Sequence, residues 1–380
     1  MNTRSTTQQP AGLPWSWRLG VVAGIPIYMH GTFLILVAFV LAADWMRERS
    51  LPAAVAGLLF VLAIFGTVVL HEFGHALMAR RYGIKTRDIT LLPIGGLARL
   101  ERMPDVPRQE LWVALAGPAV NLAIAAVTYL VLVAASAVPR IDLVGVPRDT
   151  VGRFLEVNIF LAVFNLIPAF PMDGGRALRA LLAERVDYVR ATRIAATVGQ
   201  GLAFAFGIIG LFSNPMLLFI ALFVWMGASS EAAATTTRSA LAGVPLAHAM
   251  ITDFRVLHAS EPLARAVDLV LAGSQRDFPI VEDERVVGVL TRDALTTALA
   301  AFGSATPIAE VMERQFETAD DAEMLEAVFR RLESCACQVL PVLRAGRLVG
   351  ILTPENVAEF VMFSGALRQR AAAGQLNSQT

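Results

Sequence analysis

His71, Glu72 and His75 stand in the order His-Glu-Phe-Gly-His at the end of an apolar run covering 52–70. On a helix, residues four apart share a face, so both imidazoles can offer a ring nitrogen to one metal ion. Glu72 then lies beside them, placed to take a proton from water held by that metal. The pattern suits zinc, and the chemistry it suits is hydrolysis. An acidic group at such a depth costs up to about 2.5–3.5 kcal/mol if lipid faces it, so ionisable side chains there mark a function and a partner. The first reading is a zinc hydrolase built inside a bilayer.

A catalytic zinc takes three protein ligands and keeps one position open, so the two histidines need a third. Asp173 is the candidate. It follows Asn165-Leu166-Ile167-Pro168-Ala169-Phe170-Pro171-Met172, where an apolar segment ends in a proline-broken stretch, and Gly174-Gly175-Arg176 follows it. The competing role for Asp173 is N-cap of a helix over 174–184. Charge favours ligation, because Zn²⁺ with Asp173 and Glu72 sums to zero where water is scarce. Pro168 and Pro171 free backbone carbonyls around Asn165, leaving a polar pocket suited to an extended peptide or an oxyanion. Gly95-Gly96 reads either as an ordinary turn or as an extended strand or re-entrant loop beside the site, able to pair with unfolded substrate backbone. Gly117-Pro118 and Asn121 are assigned to helix packing, and His30 to a hydrogen-bonded structural role.

The elements that must position these groups are membrane helices. Of 380 residues, 56% are hydrophobic and 17% charged, which is too apolar for an ordinary soluble domain. A net charge of zero gives no reason to expect a nucleic-acid partner. Apolar runs at 25–43, 52–79, 111–138, 151–167, 194–212 and 216–234 predict about six transmembrane helices. Basic residues concentrate between the second and third runs and after the fourth, which places both termini in the cytoplasm of a multi-pass protein of the cell membrane. Cys335 and Cys337 are spaced for neither a disulfide framework nor a zinc site, and reduced thiols are expected.

Beyond residue 244 the composition turns soluble and an internal repeat emerges. Asp277-Phe278-Pro279-Ile280-Val281 with Val287-Gly288-Val289-Leu290-Thr291 matches Val339-Leu340-Pro341-Val342-Leu343 with Val349-Gly350-Ile351-Leu352-Thr353. Each copy reads helix, strand, turn, strand, helix. The expected organisation is a flexible segment 1–19, a membrane domain 20–235, repeats at 244–300 and 304–363, and a flexible tail 364–380.

Taken together, His71-Glu72-Phe73-Gly74-His75, Ala116-Gly117-Pro118-Ala119-Val120-Asn121 and Asn165-Leu166-Ile167-Pro168 with Asp173-Gly174-Gly175 resemble the site-2 protease family of intramembrane zinc metalloproteases. The subgroup it resembles carries a C-terminal pair of cystathionine-β-synthase-type (CBS) repeats. The resemblance implies one Zn²⁺ per subunit on His71, His75 and Asp173, Glu72 as the group that activates water, and Asn165 as a substrate-positioning residue. It further implies cleavage in or next to transmembrane segments of substrate proteins, so membrane-spanning proteins and the lipid bilayer are the partners. A homodimer through the CBS repeats is one arrangement it allows.

CBS pairs often bind adenine nucleotides, with a Thr or Ser followed three residues later by an Asp that holds ribose. This chain departs from that pattern: Ala294 stands three after Thr291, with Asp293 one place early, and Asn356 stands three after Thr353. Strong nucleotide binding is therefore not expected. Two other readings compete with the protease: a CBS-regulated channel or transporter, which would call for duplicated half-repeats among the spans, and a homologue that binds membrane segments without cutting.

Overall fold

The computed structural model describes residues 15–93, 95–104, 106–134, 150–273, 275–335 and 338–377. The N-terminal segment expected to be flexible therefore lies mostly outside the described residues. The chain divides into two compact units, Met1–Ala233 and Ala234–Thr380.

The first unit begins as a sheet, which the sequence reading missed. Strands β1 (Ser16–Val22) and β2 (Ile25–His30) form an antiparallel hairpin, and β2 pairs in parallel with β3 (Thr86–Leu92), which pairs antiparallel with β4 (Gly95–Leu100). The apolar run from 25 was read as the start of a span. Its first six residues instead form a strand whose first four alternate in burial, Ile25 and Ile27 facing inward. Those two pack with Ile89 of β3 against Phe73 and Ala76.

Helix α1 (Thr32–Glu48) follows, then α2 (Leu51–Arg81), whose 31 residues are the longest helix of this unit. Pro52 near its start needs no intrahelical N–H partner, and Arg80 and Arg81 in its last turn complement the helix dipole. Helices α3 (Pro107–Ala134), α4 (Thr150–Asn165), α5 (Asp173–Ala183), α6 (Tyr188–Phe212) and α7 (Met216–Leu241) complete the bundle. Among the described residues, four helices, α2, α3, α6 and α7, are long and apolar enough to cross a membrane. With 17 and 16 residues, α1 and α4 are more marginal, so about six spans is an approximate count. Their outer faces are rows of exposed Leu, Val, Phe and Ile, as a lipid-facing surface requires.

Short helix α5 is different: it is amphipathic and its Arg179 is fully buried. Arg179 Nε donates to Glu110 Oε1 at 2.8 Å, its Nη groups reach Glu110 and Glu231, and its guanidinium stacks between the rings of Phe170 and Tyr188. One side chain thus ties α5 to α3, α6 and α7. Arg179 follows the fourth apolar run among the basic residues that set orientation, yet it is buried in the bundle rather than a loop charge.

The second unit contains the repeats. Helix α8 (Leu263–Ala272), hairpin β5 (Phe278–Glu282) and β6 (Arg285–Leu290), and helix α9 (Arg292–Phe302) form the first. Strand β7 (Ala319–Asp320), helix α10 (Leu325–Cys335), hairpin β8 (Leu340–Arg344) and β9 (Arg347–Leu352), and helix α11 (Pro354–Asn377) form the second. The copies match in register: Pro279 faces Val289 and Pro341 faces Ile351. Both hairpins turn through two left-handed residues, Asp283-Glu284 and Ala345-Gly346, the conformation that fits a two-residue hairpin. Val289, Val339 and Ile351 meet in one buried cluster between the copies. This is the α/β CBS tandem expected. Cys335 is disulfide-bonded, which corrects the expected reduced thiol. Cys337 lies outside the described residues.

Candidate active site

His71 and His75 face inward from one side of α2, and α5 opens with Asp173. The three donor atoms converge: His71 Nε2 lies 3.2 Å from Asp173 Oδ2, His75 Nε2 3.1 Å from it, and the two Nε2 atoms are 3.1 Å apart. All three side chains are buried. Tetrahedral zinc with bonds of about 2.0–2.1 Å holds its donors roughly 3.3 Å apart, so the set fits that ion. The outer ring nitrogens agree. His71 Nδ1–H donates to Asn121 Oδ1 at 2.5 Å and His75 Nδ1–H to the Val113 carbonyl at 2.7 Å. Both acceptors hold the proton on Nδ1 and leave the Nε2 lone pairs pointing at each other and at a carboxylate, an arrangement a cation satisfies.

Asp173 is the first residue of α5. The N-cap position belongs to Met172, whose side chain makes no capping bond, so the cap expected as the competing role of Asp173 is not formed. The preceding stretch sets its place: Ala169 and Phe170 are buried, and Gly174 sits so tightly on the Leu166 and Ile167 carbonyls that an added Cβ would lie 2.3 Å from each.

Glu72 Oε2 accepts a hydrogen bond from the Ala98 backbone N–H at 3.1 Å. Ala98 is in β4, an edge strand with β3 on one side. Because its N–H points to Glu72, the same side of the strand carries the outward backbone groups of Gly96, two residues away. Gly96 packs against Glu72 with no room for a side chain: an added Cβ would fall 2.6 Å from Glu72 Cγ. The Gly95-Gly96 segment is therefore a strand, and the ordinary-turn reading does not hold. A cleft of about 440 Å³ lies in front of these groups, lined by Glu72, Gly96, Asn165, Phe164, Phe223 and the three convergent residues. Asn165 is half-buried and donates its Nδ2 to the Leu161 carbonyl, one turn back on its own helix, at 3.0 Å.

Two residues given only a packing role in the sequence belong to this site. Gly117 stands against both imidazoles: a Cβ there would lie 2.2 Å from His75 Nε2 and 2.6 Å from His71 Nε2. Asn121 is the acceptor for His71. Gly117 and Asn121 are four apart and so share a helix face, which was the available signal. His30 bonds Thr32 Oγ1 at 2.8 Å and is not in this cluster.

In the repeat unit, Thr291 and Asp293 line a cleft of about 520 Å³ that also presents Glu313 and Glu317. Thr291 Oγ1 caps α9 by accepting from Ala294 N–H at 3.2 Å, and Thr353 Oγ1 accepts from Asn356 N–H at 3.2 Å. Both threonine hydroxyls are engaged in helix starts.

The profile of peptidase family M50 matches residues 59–156 and 147–206, and that of the CBS domain matches 246–301 and 308–362. A zinc metalloprotease of Methanocaldococcus jannaschii is 31% identical over 344 residues, covering 90% of this chain and 95% of the relative. Among solved structures, the site-2 protease from Methanocaldococcus jannaschii is 40% identical, covers 57% of this chain and 95% of that one, and superposes with a TM-score of 0.42. The chain belongs to peptidase family M50, the site-2 proteases, with a CBS pair at its C-terminal side, and it is a zinc metalloprotease of the membrane.

Proposed function

We propose that this protein is an intramembrane endopeptidase that cuts peptide bonds in or next to transmembrane segments, with His71, His75 and Asp173 holding one zinc ion. The observation that carries the reading is the convergence of three donor atoms within 3.2 Å beside a carboxylate that borders the cleft. Zinc bound there supplies a Lewis acid that polarises the scissile carbonyl and makes a water acidic. Glu72 takes the proton from the attacking water and returns it to the departing amine nitrogen. The Ala98 N–H aims the Glu72 carboxylate while it is charged. An extended substrate lies along β4, its backbone paired with the outward groups of Gly96, because a peptide bond inside a helix is shielded from attack. Asn165 stands across the cleft to hold the substrate backbone.

Both termini and the CBS pair are assigned to the cytoplasm, where the pair modulates cleavage by folding and pairing, including pairing with a second copy. The acidic lining beside Asp293 repels phosphate, and no Asp stands three residues after Thr291 or Thr353, which supports weak binding of adenine nucleotides. The test of the protease is a comparison of membrane-protein fragments in cells carrying the wild type or Glu72→Gln. Fragments present with the wild type and absent with the variant are expected. Metal analysis of the purified variants completes it: Glu72→Gln keeps zinc, whereas His71→Ala, His75→Ala and Asp173→Ala each lose it. Proteolysis at the wild-type rate by Glu72→Gln would remove Glu72 from the reaction.

A further inference from the structure

Behind His71 lies a chain of two buried amides, one on α3 and one on α4. Asn121 of α3 and Asn158 of α4 are both fully buried. Asn121 Oδ1 is 2.5 Å from His71 Nδ1, Asn121 Nδ2 donates to Asn158 Oδ1 at 3.1 Å, and Asn158 Nδ2 donates to the Phe154 carbonyl at 2.9 Å.

The direction of such a chain matters, because an amide can turn over and exchange its donor and acceptor ends. A backbone carbonyl can only accept, so the Phe154 oxygen fixes the Asn158 Nδ2 end. Asn158 Oδ1 is then turned to Asn121 and can only accept. That fixes Asn121 Nδ2 toward Asn158 and Asn121 Oδ1 toward His71, which must respond with a proton on Nδ1. The Nε2 lone pair is left for the metal. With Asn121 turned over, its NH₂ would face Nδ1, the ring proton would move to Nε2, and His71 would present an N–H where a ligand is needed.

We propose that Asn158 is a positioning residue that sets the tautomer of His71 by fixing which way the Asn121 amide points, so that a helix with no ligand of its own keeps the site ready for zinc. This rests on the assignment of His71 as a ligand. Sites of this kind commonly hold a histidine by a carboxylate or a carbonyl; here a second amide is needed because the first could face either way.

The test measures zinc affinity of the full-length protein in detergent by competition with a chromophoric chelator, with ¹⁵N NMR of the histidines in the metal-free protein as a second readout. Asn158→Leu, close to isosteric, should weaken zinc binding by about tenfold to a hundredfold, the range seen on losing the groups behind a ligand. It should also populate the Nε2–H form of His71. Asn158→Asp in its neutral form presents the same acceptor to Asn121 and an O–H to the Phe154 carbonyl, so it should bind zinc within about threefold of the wild type. Asn121→Ala should weaken binding, and adding Asn158→Leu to it should weaken it no further, since Asn158 acts through Asn121.

Wild-type affinity in Asn158→Leu would overturn the proposal, as would additive losses in the double variant or equal losses in the Leu and Asp variants. If Asn158→Leu does not fold, Asn158→Ala takes its place, and the tautomer of His71 in the aspartate variant still decides the matter: Nδ1–H supports the relay and Nε2–H refutes it. Unchanged zinc binding in His71→Ala would instead bring down the ligand assignment, a result distinct from failure of the relay.

Discussion

Glu72 and Ala98 are joined by a hydrogen bond of 3.1 Å from the strand backbone to the carboxylate. The proposed base and the proposed substrate-pairing strand are therefore one unit: whatever shifts β4 re-aims Glu72. Replacing the donor tests the link. Proline is tolerated in an edge strand where the N–H points away from the ladder, so Ala98→Pro should fold. A hydrogen bond to a charged group is worth about 1.5–3 kcal/mol, and its loss should slow cleavage by roughly tenfold to a hundredfold while zinc content stays stoichiometric. Wild-type turnover by this variant would disconnect the strand from the base.

Two glycine substitutions should separate metal binding from catalysis. In Gly117→Ala the new methyl would lie 2.2 Å from His75 Nε2, so the imidazoles must move and zinc should be lost. In Gly96→Ala the clash is with Glu72 Cγ at 2.6 Å, so zinc should remain while cleavage falls. Elemental analysis beside a cleavage assay reads both, and zinc loss in Gly96→Ala or retention in Gly117→Ala would contradict the geometry.

Arg179 is the buried tie that holds α5 in place. Arg179→Met leaves Glu110, which is 2% exposed, without its cation and should cost about 3–5 kcal/mol of stability. Adding Glu110→Leu should recover much of that loss, since the cost comes from the stranded charge. Thermal unfolding in detergent gives both values; no recovery would mean that Arg179 acts by packing alone.

Zinc should stabilise the fold as well as enable the reaction. A ligand that binds the native state a hundred times above its Kd contributes about 2.7 kcal/mol, so a chelator should lower the Tm of the wild type. The same chelator should leave Asp173→Ala unchanged. An equal fall in both proteins would place the stabilising metal elsewhere.

Orientation can be read by labelling from outside intact cells, in a background with Cys335 and Cys337 replaced by serine. A cysteine placed at Asn214, in the turn between α6 and α7, should react, and one at Gly83, after α2, should not. The opposite pattern would invert the topology.

Much of this site could be read from the chain because its signals are local. His71 and His75 share a face by spacing alone, and the apolar runs reveal the longest helices by composition. Asp173 needed a charge argument, and the structure brings its carboxylate beside the two imidazoles, as a ligand role would require. What the sequence hid depends on proximity between helices. Asn121 and Gly117 sit in an apolar run where an amide and a glycine both look like packing, and their role appears when α3 is laid against α2. The hairpin at β1 and β2 was obscured differently: Ile25 to His30 is apolar enough to extend a helix, and its alternation is too short to stand out beside α1.

The separation of the two halves of the metal site along the chain has a consequence for how the protein is made. Asp173 lies 98 residues after His75. At a translation rate of about 5–20 residues per second, roughly 5–20 s pass between the synthesis of the second histidine and that of the aspartate. On the proposed ligand set, during that interval the ribosome has delivered the α2 pair to the insertion machinery with two of three ligands present, too few to retain zinc firmly. If Asp173 is the third ligand as proposed, hydrolytic competence arrives late and together with α5, so a half-inserted molecule would not cut the membrane segments, its own included, that crowd the site of insertion.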